Sequence, residues 1–471
     1  MNATLVSGAR LAKGHAMASG RADSAELIAR LERLPITRPV LWARGCVGMA
    51  TFFDGYTTIA LAYALPILSR DWGLTPSTVA AIISAGYLGQ LFGAIFFGWL
   101  AERIGRLPVL AICIGIFAVM SAACIFSWSA ASLMLFRFVQ GIGTGGEVPV
   151  ASAYVNELSG AKKRGRFFLL YELLFLVGLT AAGGIGYFLV PSLGWQAMFI
   201  VGMVPVLLVL PLRLFLSESP RWLINRGRLD AADTVIAKLE ASARKHGQPL
   251  PEPTPVAIEA ATKPQPAGSW GELFSPLYGP RTILLWVMWF GAYMINNGLL
   301  TWLPTLYRTV FDMPLEQAIG YGFAMTGVAL VASFVCALTI DRVGRRSWYT
   351  GALVFAAVPL FALWLLGASS PFMVFALATP AFAALQTVTY SLYLYSGELY
   401  PTRLRSLGAG LGSAWLRAGS ITGPWVIGLI MSGGSVAPVF LTFAIVAAVT
   451  GLVVFRWAPE TSGRALEELS P

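Results

Sequence analysis

Residues 98–106 read GWLAERIGR and residues 337–345 read ALTIDRVGR, so Glu102, Arg103, Gly105 and Arg106 return as Asp341, Arg342, Gly344 and Arg345 after 239 positions. Each copy is a charged turn between two long apolar stretches. Further along, Tyr154, Glu157 and Arg164 return as Tyr395, Glu398 and Arg405 at an offset of 241, and Glu218 in LSESPRW answers Glu460 in APETSG at 242. A near-constant offset through three motifs means that one half of the chain was duplicated. In a chain built for lipid, two repeated halves are a transporter architecture with its site at their interface.

Composition names lipid as the solvent. Of 471 residues, 56% are hydrophobic, 12% are charged and 49 are glycine, which excludes a soluble domain with a polar exterior. Stretches of about twenty apolar residues, each enough to cross a ~30 Å hydrocarbon core, fall near 44–68, 78–100, 107–126, 130–156, 166–190, 193–215, 281–303, 319–340, 348–367, 371–398, 406–430 and 436–457. The expected fold is all-α: twelve transmembrane helices in two pseudo-symmetric six-helix halves, 44–215 and 281–457. Between them, 216–280 is charged and then proline-rich (QPLPEPTPVAIEAATKPQP), which reads as a short helical segment followed by an extended linker. The flanks are an N-terminal segment, 1–43, and a tail, 458–471.

Lys and Arg gather at 101–107, 162–166, 213–245, 342–346 and 403–405, all alternate connections, while the opposite connections hold little beyond Arg70 and Arg308. The positive-inside bias therefore places both termini and the central loop in the cytoplasm of a multi-pass protein of the cell membrane. It also accounts for the net charge of +10 without a nucleic-acid partner. The segment 1–43 lacks an apolar run long enough for a signal-peptide core, so the first span is expected to direct insertion. Within it Leu27, Ile28, Leu31 and Leu34 recur at helical spacing after Asp23 and Ser24, with Pro35 closing the run. This predicts a short amphipathic helix on the cytoplasmic surface, or else an unstructured tail.

Several chemistries drop out. Cys46, Cys113, Cys124 and Cys336 fall inside predicted spans without CxxC spacing, and His15 and His246 lie outside them, so neither a disulfide framework, a metal site nor histidine catalysis is expected. Gly141, Gly143 and Gly146 fit GxGxxG, but inside an apolar span they mark close helix approach, as do Gly89 and Gly93. The chain carries no GxxxxGK[ST] for ATP, and no cofactor or enzymatic constellation is expected.

The motifs GWLAERIGR (98–106), RFVQGIGTGGEVP (137–149), ESPRWL (218–223), GELYPTRLRSLG (397–408) and PETSGRALEE (459–468) together resemble the major facilitator superfamily over about residues 40–468. EVPVASAYVNELSGAKKRGR (147–166), GYFLVPSLGW (186–195) and RLERLP (30–35) further resemble the niacin transporters and the synaptic-vesicle-two-related branch. FFDGY (52–56) is similar to the aromatic-acid proton symporters, although Thr57 stands where they carry a second aspartate. That departure argues against copying their mechanism.

The duplicated charges Glu102, Arg103, Arg106, Glu157 and Arg164, with Asp341, Arg342, Arg345, Glu398 and Arg405, lie at cytoplasmic helix ends. They are gate candidates whose ion pairs would hold the halves together, or else plain topology signals; the resemblance favours the gate. Asp54, Arg137, Glu147, Glu172 and Arg417 have no ionisable counterpart at the repeat offset. A charge at mid-membrane costs about 2.5–3.5 kcal/mol on insertion scales, so each should face the bundle interior or a watery cavity. Asp54 with Arg137 is the preferred cross-helix pair; Glu147 beside Pro149 and Glu172 near Arg166 are the other coupling candidates, each with a structural alternative. Arg417, in SAWLRAGSITGP without a local acid, suits a carboxylate. Trp289, Tyr293, Asn296 and Asn297 share a helical face, and Gln386 and Tyr390 add amide and phenol groups, a lining suited to a small flat ring.

The expectation is a secondary active transporter working by alternating access as a monomer. The resemblance implies nicotinate or a related ring carboxylate as substrate, with protons as the coupled partner: Arg417 would neutralise the carboxylate, Trp289 and Tyr293 would flank the ring, and Asp54 with Arg137 would carry the switch. A sugar or polyol porter and a non-transporting receptor are the alternatives.

Overall fold

The computed structural model describes residues 23–158, 164–252 and 269–462, apart from the side chains of 164–171, 402, 403 and 406. The chain is an all-α membrane protein of twelve spans in two six-helix halves. Spans one to five are Arg38–Asp71, Pro76–Ile104, Arg106–Ile125, Ala130–Glu157 and Arg164–Leu193. Spans seven to twelve are Gly279–Thr309, Leu315–Val343, Arg345–Leu365, Pro371–Leu399, Thr402–Met431 and Ala437–Trp457. The sixth is not one regular helix: Gln196–Gly202 tightens into a 3-10 turn, Val204–Leu208, before Val209–Phe215 resumes. Pro205, without an N–H to give, sits where the α-helical ladder fails.

Among the described residues nine of these spans are apolar enough to cross a bilayer by length and composition. The other three, the first, fourth and eleventh, are those that carry Asp54, Arg137 with Glu147, and Arg417. Their charges lower the hydropathy and are tolerated because all four side chains are buried inside the bundle.

Close backbone contact places the helices around the interior. A Cβ at Gly89 or Gly93 would lie 2.0 Å from the carbonyl oxygens of Phe138 and Ile142, and one at Gly145 would lie 2.2 Å from Gln90 O. The second and fourth spans therefore touch backbone to backbone, and any larger residue would force them apart.

The halves meet through the second span on the eleventh, the fifth on the eighth and the first on the seventh. Ser84 Oγ donates to Ile421 O at 3.2 Å, Thr180 Oγ1 donates to Thr326 O at 3.2 Å, and Tyr63 packs against Gly183 and Gly322. The Ser84 and Tyr63 contacts lie towards the end of the bundle away from the charged turns, and the Thr180 contact lies near mid-span.

At the charged end the repeat recurs atom by atom. Gly105 and Gly344 adopt φ of +109° and +89°, and in each the left-handed backbone opens the next span to a carboxylate cap. Glu218 accepts from Arg106 N at 3.1 Å and Leu107 N at 3.2 Å, while Glu460 accepts from Arg345 N at 2.8 Å and Arg346 N at 3.1 Å. Carboxylates suit these N-termini because the orphan N–H groups and the helix dipole favour negative charge. Burial lifts Glu218 above the usual carboxylate range against the pull of its backbone donors. Burial pushes Glu460 up as well, but four backbone N–H groups outweigh it and hold this carboxyl below that range.

The amphipathic segment forms a helix over 23–32, yet its apolar face is not laid on lipid. Leu27 and Leu31 are buried against Trp222, Leu223, Ile224, Ala232 and Ile236 of the central loop, whose helices are Pro220–Asn225 and Leu229–Lys245. Among the described residues the central loop thus has two α-helices rather than one, and a 3-10 turn, Gly271–Phe274, before the seventh span; its proline-rich stretch over 253–268 lies outside the described residues. Glu240, only 4% exposed, takes Arg30 Nη2 at 3.0 Å and Arg33 Nη2 at 2.7 Å. Arg221 pairs with Glu32 beside it. Burial alone would raise the Glu240 carboxyl, but the two guanidiniums hold it below its usual value. This small bundle docks on the second span through Trp222 Nε1 and Arg226 Nη2, which donate to Glu102 O at 2.9 and 2.6 Å.

Candidate functional site

A cavity of about 100 Å³ lies between the halves. Its walls read as helical faces: Thr51, Asp54 and Thr58 on the first span, Glu172, Phe175, Leu176 and Leu179 on the fifth, Tyr293, Asn296, Asn297 and Leu300 on the seventh, and Gln386, Thr389, Tyr390 and Tyr393 on the tenth. The three- and four-residue steps mean that each helix presents one stripe. Tyr87 and Gln90 of the second span, Thr144 and Val148 of the fourth, and Leu416 and Arg417 of the eleventh complete it.

Arg417 is 4% exposed, and its guanidinium is held by neutral acceptors. Nε donates to Gln90 O at 3.1 Å, Nη1 to Ser413 O at 2.8 Å and to Ser413 Oγ, and Nη2 to Gly145 O at 3.4 Å. Two of these acceptors belong to the other half, so this side chain bridges the interface. Gly145 and Gln90 are both within reach because of the close second–fourth contact. The acid acting most directly on Arg417 is Asp54, which makes no ion pair with it among the described residues. Asp54 Oδ1 and Tyr87 Oη are buried without a hydrogen-bond partner. Buried polar atoms of this kind need an explanation, and a polar ligand is one.

Asp54 and Arg137 do not pair. Arg137 Nη1 donates to Gln140 Oε1 at 2.6 Å, one turn along its own helix, and to Thr57 O at 3.3 Å. Position 57 thus contributes its carbonyl to this network. Glu147 sits behind the cavity wall, where Thr51 Oγ1 donates to its Oε1 at 3.0 Å. Glu172 lines the cavity; the Arg166 side chain lies outside the described residues.

Trp289 is fully buried and does not line the cavity. It stacks on Tyr293 with centroids 5.4 Å apart, meets Tyr393 edge-on at 4.6 Å, and donates Nε1 to Ser396 Oγ at 3.1 Å. Its role is to back the two tyrosines that do face the cavity. Asn296 Nδ2 donates to Gln386 Oε1 at 3.0 Å and Asn297 Nδ2 to Ser420 Oγ at 2.6 Å, a network joining the seventh, tenth and eleventh spans. Tyr87, Gln90, Thr389 and Tyr393 are wall residues that sequence reading missed. Tyr393 had a signal: it stands three and seven residues beyond Tyr390 and Gln386.

The duplicated charges are far from this cavity. Arg106 pairs with Glu102 at 2.7 Å and Glu157 at 2.8 Å; Arg345 pairs with Asp341 at 2.6 Å and Glu398 at 2.8 Å. The expected ties between halves are, among the described residues, ties within each half. Arg103 stacks on Trp99 with its guanidinium carbon 4.1 Å from the ring centroid. Arg342 is exposed, Arg405 is partly buried with its Nε unpartnered, and the Arg164 side chain lies outside the described residues.

The family described as "Sugar (and other) transporter" matches residues 46–471. The niacin transporter NiaP of Acinetobacter baylyi is 32% identical over 94% of this chain and 99% of its own. The 4-hydroxybenzoate transporter PcaK of the same organism is 29% identical over 86% of this chain and 88% of its own. Among solved structures, a partially occluded inward-open conformation of the xylose transporter XylE from E. coli superposes with a TM-score of 0.71 at 17% identity, covering 89% of this chain and all of that one. At that identity the likeness speaks to the fold alone.

Proposed function

The chain belongs to the sugar (and other) transporter family of membrane transporters, and we propose that it moves a small aromatic carboxylate, nicotinate first among them, driven by protons. The observation that carries this reading is Arg417: a buried cation held, among the described residues, by neutral acceptors, in a cavity walled by Tyr293 and Tyr393. A guanidinium so placed is a ready partner for a carboxylate, and its planar fork matches the two oxygens. The tyrosine rings, braced from behind by Trp289, offer faces to a flat ring. Relatives described as niacin and 4-hydroxybenzoate transporters support the same class.

Asp54 is the proton carrier in this reading. It shares the cavity with Arg417, whereas Glu147 lies behind the wall with one oxygen engaged by Thr51; each of the two carboxyls keeps one unpartnered oxygen. When a carboxylate occupies Arg417, the cation no longer compensates Asp54, and protonation of Asp54 restores the charge balance of the closed cavity. The two halves then rock around the site, and the contacts of Ser84 and Tyr63 away from the charged turns support a conformation that faces the cytoplasm. Glu102, Arg106 and Glu157, with Asp341, Arg345 and Glu398, act by bracing the helix ends that move. The protein works as a monomer in the cell membrane, both termini cytoplasmic, with no nucleic-acid partner.

A sugar reading has one observation in its favour, the Asn296–Gln386 amide pair facing the same cavity. Arg417 weighs against it, because a neutral sugar leaves a buried cation without an anion. A thermal-unfolding screen of the purified protein separates the two, since a ligand of the folded state adds about 2.7 kcal/mol at a hundredfold excess over its Kd. Nicotinate and hydroxybenzoates are expected to raise the midpoint and xylose to leave it in place. The reverse pattern would establish the sugar reading.

A further inference from the structure

We propose that Glu172 reads the substrate's ring, forming a hydrogen bond to a ring nitrogen or hydroxyl at the end of the molecule away from its carboxylate. The inference rests on the aromatic-carboxylate reading and specifies which ring acids the site selects.

Glu172 lies on the fifth span and Arg417 on the eleventh, and these spans are repeat partners. A shift of 241 carries Glu172 onto Ser413, one turn before Arg417 and itself an acceptor for that guanidinium. The contact of the second span with the eleventh and that of the fifth with the eighth are the two copies of one repeated contact. They fall on opposite sides of the pseudo-two-fold axis. Arg417, fastened to Gln90 and Gly145, therefore enters the cavity from one wall, and Glu172 enters from the opposite wall.

A carboxyl group facing the interior of a membrane protein needs a partner. Glu147 has Thr51 on one of its oxygens, and Asp54, though unpaired among the described residues, shares the cavity with the Arg417 cation. Among the described residues Glu172 makes neither an ion pair nor a side-chain hydrogen bond, and it lines the cavity with Phe175 and Leu176. A substrate bound by its carboxylate at Arg417 turns its ring towards that wall and displaces water from it. Two negative groups in so small a space repel unless a proton lies between the second and the ligand. A pyridine nitrogen accepts the proton of a neutral Glu172 carboxyl, and a phenol donates its own to the ionised form; both satisfy the group. A bare phenyl ring leaves it buried and unpaired, which disfavours that ligand by roughly 10- to 100-fold.

Calorimetric titration of the purified protein with nicotinate, 3-hydroxybenzoate and benzoate tests this without any ion gradient. The wild type is expected to prefer the first two over benzoate by about tenfold or more. In Glu172→Leu that ratio should fall to near unity, and in Glu172→Gln, whose amide both donates and accepts, to an intermediate value. A purely structural role would weaken all three ligands alike and keep the ratio. A ratio unchanged in both variants, or a wild type without the preference, overturns the proposal. If Glu172→Leu binds no ring acid, an unchanged ratio in Glu172→Gln still overturns it. A wild type that binds none of the three acids refutes the aromatic-carboxylate reading itself, a different result from binding without discrimination.

Discussion

Replacing Arg417 with glutamine is predicted to abolish binding of an aromatic carboxylate while leaving the protein folded. Of the guanidinium's contacts, Nη2 to Gly145 O is the longest at 3.4 Å, beyond the usual range for such bonds, so this nitrogen is the first available to a ligand. Two charge-assisted hydrogen bonds to a carboxylate are worth about 1.5–3 kcal/mol each. Their loss is therefore about 3–6 kcal/mol, or roughly 10²- to 10⁴-fold in Kd. The opposing structural effect is small. The carbonyls of Gln90, Gly145 and Ser413 lie within helices and keep their places in the backbone ladder, and removing a mid-membrane cation relieves an insertion cost of about 2.5–3.5 kcal/mol. Arg417→Lys should fall between the two, keeping the charge without the planar fork. Calorimetry with nicotinate on protein whose unfolding midpoint matches the wild type reads the effect directly. A Kd in Arg417→Gln within about threefold of the wild type, where the two lost bonds predict 10² or more, would refute the carboxylate anchor.

Asp54→Asn is predicted to retain ligand binding and counterflow exchange but to lose accumulation driven by a pH gradient; full accumulation would move coupling to another acid. Glu240, held low by Arg30 and Arg33, contributes stability that is complete above the unfolded glutamate value of about 4.3 and is lost as pH falls through the lower folded value. Hydrogen exchange over 23–32 should therefore stay slow down to that range and quicken below it, whereas Glu240→Gln should exchange fast already at neutral pH, with little further change on acidification. Glu157→Gln and Glu398→Gln each remove one of two ion pairs from equivalent arginines, Arg106 and Arg345, and should raise cysteine accessibility from the charged side to a similar extent; a rise in neither would reduce these acids to topology signals.

The duplication, the six-plus-six count and the inward-facing unduplicated charges were legible because each leaves a mark in residue type: offset, hydropathy or an isolated ionisable group. What stayed hidden depends on groups that every residue carries. Arg137 and Arg417 each reach backbone carbonyls of other helices, Thr57 O in one case and Gln90 O and Gly145 O in the other, beside a partner on their own helix. No spacing of charged residues announces a carbonyl. Helical phase set a second limit. Trp289 and Tyr293 are one turn apart on a common face, but the cavity ends at Tyr293, and the ring stack buries Trp289 beneath it. The apolar stripe of Leu27 and Leu31 was plain, while its partner, the central-loop helices rather than lipid, rested on two arginines finding one buried carboxylate some two hundred residues away.

Reconstitution into sealed proteoliposomes tests the central claim most directly. With the exterior more acidic than the lumen, labelled nicotinate should accumulate above its external concentration, and a protonophore should collapse that excess to equilibrium. Accumulation of xylose in its place, or nicotinate that never exceeds the external concentration while the gradient persists, would contradict a proton-driven carrier of aromatic carboxylates.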